Sequence, residues 1–176
     1  GLNDPIGAPA WWVEGSAMVF PDLFIREYFD ELSYSQENGL SVDEMTSGRT
    51  PSVINLSFGW IYTDAKRQAA GLDPGCDAVG PAEEYRDAPK CSWFLMNIYL
   101  AYLTSYQTLW VDLLENMWEL GFDGSFEKNV GMTVDEFYDS YNAFMRSGDP
   151  DDPPPPGFFP TQPLSELVDF WAIQSG

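Results

Sequence analysis

Apolar positions along this chain recur mostly at helical spacing rather than in the two-residue alternation of a strand. Phe24, Ile25, Tyr28, Phe29 and Leu32 fall at i, i+1, i+4, i+5 and i+8, which predicts an amphipathic helix over residues 23–32. Pro21 marks its boundary and Asp22 its cap. Just before it, residues 10–20 (AWWVEGSAMVF) form a short, largely apolar segment. In helical spacing, Trp11, Gly15, Met18 and Phe20 share one stripe with Glu14 set among them. The longest pattern covers residues 91–120, where Trp93, Ile98, Leu100, Leu109, Leu113 and Met117 predict one long helix, or two joined near Thr104 and Ser105, ended by Gly121. A membrane span needs about 20 predominantly apolar residues. Asn97, Thr104, Ser105, Gln107 and Asp112 interrupt this run, so a core helix is expected and no membrane span.

Caps and breakers supply the rest. Thr133 followed by Glu136 is a capping box that opens a helix through Met145, with Phe137, Tyr141, Phe144 and Met145 on one face and Gly148 closing it. A second box stands at residues 41–44, after a turn at Glu37, Asn38 and Gly39. Residues 64–70 read as a helical turn closed by Gly71, and residues 72–90 as a surface loop. Residues 52–62 (SVINLSFGWIY) hold apolar runs of either strand or buried-helix type, which leaves room for a small β element. The expected fold class is therefore mainly α. Residues 1–148 form a helical domain, residues 149–163 a proline-rich linker whose DPDDPPPP run is extended and polyproline-like, and residues 164–176 an amphipathic helix with Leu167, Phe170, Trp171 and Ile173. That last helix docks back on the domain or onto a partner.

Charge narrows the function classes. The chain is 44% apolar and 16% aromatic, enough for a core, yet its net charge is −20. The eight basic residues are Arg26, Arg49, Lys66, Arg67, Arg86, Lys90, Lys128 and Arg146, and they are scattered. Phosphate binding needs a concentrated positive field, so nucleic acid and anionic membrane surfaces are not expected partners. The chain has no histidine. Mechanisms that need an imidazole base, and histidine-ligated zinc within this chain, are excluded. Carboxylate chemistry and oxygen-ligated cations remain. Paired carboxylates for glycoside hydrolysis cannot be read from spacing alone, because with 28 acidic residues some pair always looks suggestive.

Cys76 and Cys91 flank a Gly/Pro/Asp-rich segment. A disulfide closing that loop would contribute about 3 kcal/mol. It would suit an exported protein, periplasmic or extracellular. The alternative is two free thiols in a reducing compartment. The chain opens on Gly1 without an initiating Met, which reads as a processed or partial polypeptide. Asp149, Asp151 and Asp152, and separately Asp73, Asp77, Glu83 and Glu84, are clustered oxygen donors of the kind calcium accepts. Neither group has the spacing of an EF-hand loop, so solvated loop carboxylates are the expected reading and calcium the alternative.

Glu14 lies between Trp12 and Met18, and a carboxylate among apolar residues is costly to bury unless paired or metal-bound. Taken alone, it fits a partly exposed Glu near a helix start. Gly15 and Ala17 beside it would let another backbone approach closely. The run Trp11-Trp12-Val13-Glu14-Gly15-Ser16-Ala17 resembles the W-x-x-E-G-x-A motif of gluzincin metallopeptidases, the peptidase-MA-like clan. Residues 126–146 (FEKNVGMTVDEFYDSYNAFMR) are similar to that clan's closing helix–loop–helix. The resemblance covers residues 9–32 and 101–146. It implies a helical C-terminal lobe in which Glu14 is the third zinc ligand and Trp11, Gly15 and Ala17 are its motif companions. It also implies two histidine ligands and a general-base Glu in an H-E-x-x-H helix. That helix would have to precede Gly1, or the chain is a degenerate form that has lost catalysis. Zinc is expected only where such an upstream segment exists.

Three expectations result. The first is a C-terminal part or degenerate form of a gluzincin-like zinc metallopeptidase, inactive by itself and completed by an upstream segment. The second is a non-catalytic binding or assembly subunit, with its aromatic residues and C-terminal tail lying against a protein partner. The third is a calcium-stabilised exported domain.

Overall fold

A computed structural model describes residues 7–28, 39, 58–72, 90–159 and 167. Five helices follow in order: α1 (Ala10–Tyr28), α2 (Phe58–Ala69), α3 (Lys90–Leu103), α4 (Leu113–Val130) and α5 (Val134–Arg146). A π-helical turn, Thr108–Asp112, leads directly into α4. There is no strand among the described residues, and the fold is mainly α. No helix among them is long and apolar enough to cross a membrane.

α3 is the centre. Phe94, Leu95, Met96, Asn97, Ile98, Tyr99, Leu100 and Ala101 are consecutive and all buried, so this helix is enclosed on every side. α1 lies along it, α2 packs on both α3 and α5, and the π turn abuts its C-terminal end. The break at Thr104 and Ser105 separates α3 from the π turn and α4, in keeping with two joined helices rather than one. Thr104 Oγ1 turns back onto the Leu100 carbonyl at 2.7 Å, and Ser105 Oγ accepts from the Thr108 amide at 3.0 Å.

α4 folds back on itself at Gly121, whose φ of 70° and ψ of 177° are open to glycine and strained for other residues. Ser125 Oγ then donates to the Leu113 carbonyl at 2.6 Å and Asn129 Nδ2 to the Asp112 carbonyl at 3.1 Å, which staples the second half of α4 to its start.

α5 begins at the expected capping box. Thr133 Oγ1 accepts from the Glu136 amide at 3.2 Å, and Glu136 Oε2 accepts from the Thr133 amide at 2.7 Å. The Thr133 amide, and then its hydroxyl, hold the Glu136 carboxyl below its ordinary value of 4.5. A carboxyl whose value is lowered on folding stabilises the fold above that ordinary value, and the effect is lost as pH falls through the lowered one. Thr133→Ala is expected to cost about 1 kcal/mol in urea unfolding at neutral pH. The stability gap between wild type and Glu136→Gln is expected to close as pH is taken below 4.5.

Four expectations change. α1 starts at Ala10 and runs through Pro21 to Tyr28, so Pro21 is not a boundary and Asp22 not a cap. A proline removes one amide bond to the carbonyl four residues back; that carbonyl belongs to Ala17, an exposed residue, where water can replace the bond. Phe20 leaves the predicted stripe and lies on the outer face of α1 with Phe24. α2 starts at Phe58, so the part of the proposed β element that is described, residues 58–62, is helical. The proline-rich run does not leave the domain as an extended spacer. The Asp152 amide donates to the Asp149 carbonyl at 3.1 Å, and Phe158 is buried 4.9 Å from the Tyr62 ring and stacked on Phe144 at 5.3 Å. Leu167, the described residue of the tail, packs against the same core. The capping box at residues 41–44, the rest of the tail, and Cys76 lie outside the described residues.

Candidate functional site

The W-x-x-E-G-x-A run occupies the first two turns of α1, and the helix sorts its members onto two faces. Trp11 and Gly15 face inward. The Trp11 ring stacks on Phe137 with centroids 5.3 Å apart, meets Phe122 and Tyr138 edge-on, and donates from Nε1 to the Tyr138 hydroxyl at 2.8 Å. Trp12 donates from Nε1 to the Leu109 carbonyl at 3.3 Å, inside the π turn. Such turns widen the backbone ladder and leave carbonyls open to side-chain donors. Gly15 sits directly on α3: a Cβ there would lie 2.4 Å from the Trp93 carbonyl oxygen and 2.1 Å from Asn97 Nδ2.

Glu14 and Ala17 face outward and are exposed. Glu14 has no hydrogen bond or ion pair with any other described residue. Elsewhere on the exposed side of α1, Val13, Phe20 and Phe24 are 45%, 40% and 40% exposed. The Phe20 ring meets Trp110 edge-on at 5.3 Å, and Trp110 stacks on Tyr106 at 4.8 Å, so this face is backed by a rigid aromatic layer.

As a metal site the face is incomplete. Zinc takes four ligands from Cys, His and carboxylates, or three and a water. No group of three such side chains stands together among the described residues. Glu14 is one exposed donor among the described residues. Cys91 lies in the first turn of α3, but with Cys76 outside the described residues their pairing is not defined.

The acidic loop after α5 has cations against it. Arg67 and Asp151 form an ion pair at 2.7 Å, and Asp149 Oδ1 accepts from the Asp151 amide at 2.9 Å. Lys66 is buried beneath, donates to the Ser147 carbonyl, and holds its ammonium 5.7 Å from the Tyr62 and Phe144 ring centres. Burial pushes the Lys66 ammonium below its usual value, and the Asp152 and Asp149 carboxylates oppose that shift. The second acidic group, at residues 73–84, lies outside the described residues.

Two functional-looking residues have no signature in the sequence. Asn97 is legible there only as an interruption of an apolar run, and Lys66 as one of a few scattered cations. Neither carries a local motif, because each acts on a segment some 80 residues away. Compared with family models, curated proteins and solved structures, the chain matches none.

Proposed function

We propose that these residues form the C-terminal helical part of a gluzincin-like metallopeptidase fold, with Glu14 a carboxylate donated to a zinc centre whose other ligands lie outside them. One observation carries the reading. α1 puts Trp11 and Gly15 of the motif into the core and leaves Glu14 on an open, apolar face. An exposed carboxylate on a helix that also exposes Val13, Phe20 and Phe24 leaves room for another element to bring further ligands beside it. The reading assigns this polypeptide no catalytic step of its own, since the imidazole ligands are not among its 176 residues.

The test is the protein isolated from its source, measured for intact mass and for zinc. The expected result is a polypeptide heavier than 19.8 kDa that carries zinc. Glu14→Gln is expected to weaken zinc binding by at least about 10-fold, since even outer partners of a metal ligand cost that much. A zinc-free polypeptide of 19.8 kDa would overturn the proposal, as would undiminished zinc in Glu14→Gln.

A second reading, a non-catalytic assembly subunit, is favoured by Trp118, which is 79% exposed on α4. Tryptophan at that exposure is a common interface anchor. The tail is a weaker argument for it, because Phe158 and Leu167 already pack on the chain's own core. The two readings are compatible in a degenerate peptidase domain that serves as a scaffold. Calcium at residues 149–152 would compete with Lys66 and Arg67 for the same carboxylates.

A further inference from the structure

α1 carries apolar side chains on both faces: Trp11, Trp12 and Val19 are buried, while Val13, Phe20 and Phe24 are exposed. Burial of apolar area is non-directional. It does not by itself decide which face of such a helix turns toward α3. Polar bonds do, those of the Trp11 and Trp12 indoles to Tyr138 and Leu109 and those at the α1–α3 contact. Asn97, fully buried midway along α3, donates from Nδ2 to the Trp11 carbonyl at 2.7 Å and to the Trp93 carbonyl at 2.9 Å. Its Oδ1 accepts from Ser16 Oγ at 3.0 Å. Gly15 lies over this amide, and any side chain there would displace it. A rotation of α1 by one residue is about 100°. It would leave Asn97 without its Trp11 and Ser16 partners, and would also draw the Trp11 and Trp12 rings away from the Tyr138 hydroxyl and the Leu109 carbonyl to which they donate.

From this geometry we propose that Asn97 is a positioning residue that fixes the rotational setting of α1 and so keeps the Glu14 carboxylate on the outer face. A single buried polar side chain that selects one register over near-equivalent apolar ones is a known device in helical assemblies. The functional meaning rests on the reading of Glu14 as a ligand; the lock itself does not.

The experiment places nitroxides, attached through genetically encoded ketone residues that spare the cysteines, at positions 14 and 139 of the full chain. Position 139 is exposed on α5. Pulsed electron resonance then reads the distance from the outer face of α1 to α5. With Asn97 in place a single narrow distribution is expected. Asn97→Leu, which keeps the volume and satisfies the apolar contact, is expected to stay folded and to give a shifted or broadened distribution. A distribution unchanged in Asn97→Leu would overturn the proposal. Should that variant not fold, Ser16→Ala removes one contact only, and the same two outcomes decide. A lower melting temperature alone, which the loss of any core contact would cause, is not the readout. Zinc content measured on the unlabelled protein, in which Glu14 is retained, keeps the two ideas apart: a register shift in the labelled pair together with a zinc-free unlabelled protein upholds the lock and removes the ligand role.

Discussion

Trp11→Ala is expected to lower the free energy of unfolding by about 4 kcal/mol, read as a fall in the urea midpoint at unchanged slope. The Trp11 ring is enclosed by Phe122, Phe137 and Tyr138, and Phe137 in turn contacts Tyr99 and Phe126. Deleting it leaves a cavity bounded by rings that cannot collapse far, because each is held by its own helix. It also removes the indole N–H that donates to the buried Tyr138 hydroxyl. Trp11→Phe separates the two contributions. It keeps a ring on Phe137 but removes the donor, and is expected to cost about 1–2 kcal/mol. A domain stable by about 5–15 kcal/mol survives the second change and is left marginal by the first. A loss below about 1 kcal/mol for Trp11→Ala would mean that this aromatic layer is not packed as described.

Gly15→Ala sets two effects against each other. Alanine in place of glycine in a helix interior stabilises by about 1 kcal/mol. At this position, however, the added Cβ would stand 2.4 Å from a backbone oxygen of Trp93, which cannot swing aside as a side chain could. Separating the helices costs about 1–3 kcal/mol in overpacking. It also loosens the bonds of the buried Asn97 amide, for about 1–3 kcal/mol more. The clash wins, and a net loss of about 1–5 kcal/mol is expected in denaturant unfolding. Ala17→Gly, two residues on and exposed, is the internal control and is expected to cost about 1 kcal/mol from propensity alone. Alanine is thus preferred at position 17 and glycine at position 15. If both sites preferred alanine, α1 would not lie this close to α3.

What the sequence made legible was local. The capping box at Thr133 and Glu136, the break at Thr104 and Ser105, and the apolar run of α3 all announce themselves within a few residues, and all appear where expected. The close approach expected at Gly15 and Ala17 holds at Gly15 and fails at Ala17, which faces solvent. What was lost was decided at long range. Pro21 reads as a breaker because its neighbours are unknown; the exposure of Ala17 is what lets the helix continue. Phe158 follows a run of prolines that describes a linker, and only the pocket of Tyr62, Tyr102 and Phe144 turns it into core. Of the candidate site, the motif's position on a helix and its two-faced arrangement are visible in the structure. The metal role of Glu14 stays with the proposal, because a ligand set is a property of several segments meeting and one motif supplies a single donor.

The anchors of α1 also set an order of assembly. Its bonds reach Tyr138, Leu109 and Asn97, which are 127, 97 and 86 residues away along the chain. The stapled hairpin of α4, by contrast, is closed by bonds spanning 12 and 17 residues. Loop closure grows more costly with separation, and local contacts form first. The α3–α5 half can therefore gather on its own timescale, with α1 added last as the slow, topologically distant step. The surface that carries Glu14 is in this sense expected to be among the last parts of the molecule to come into existence.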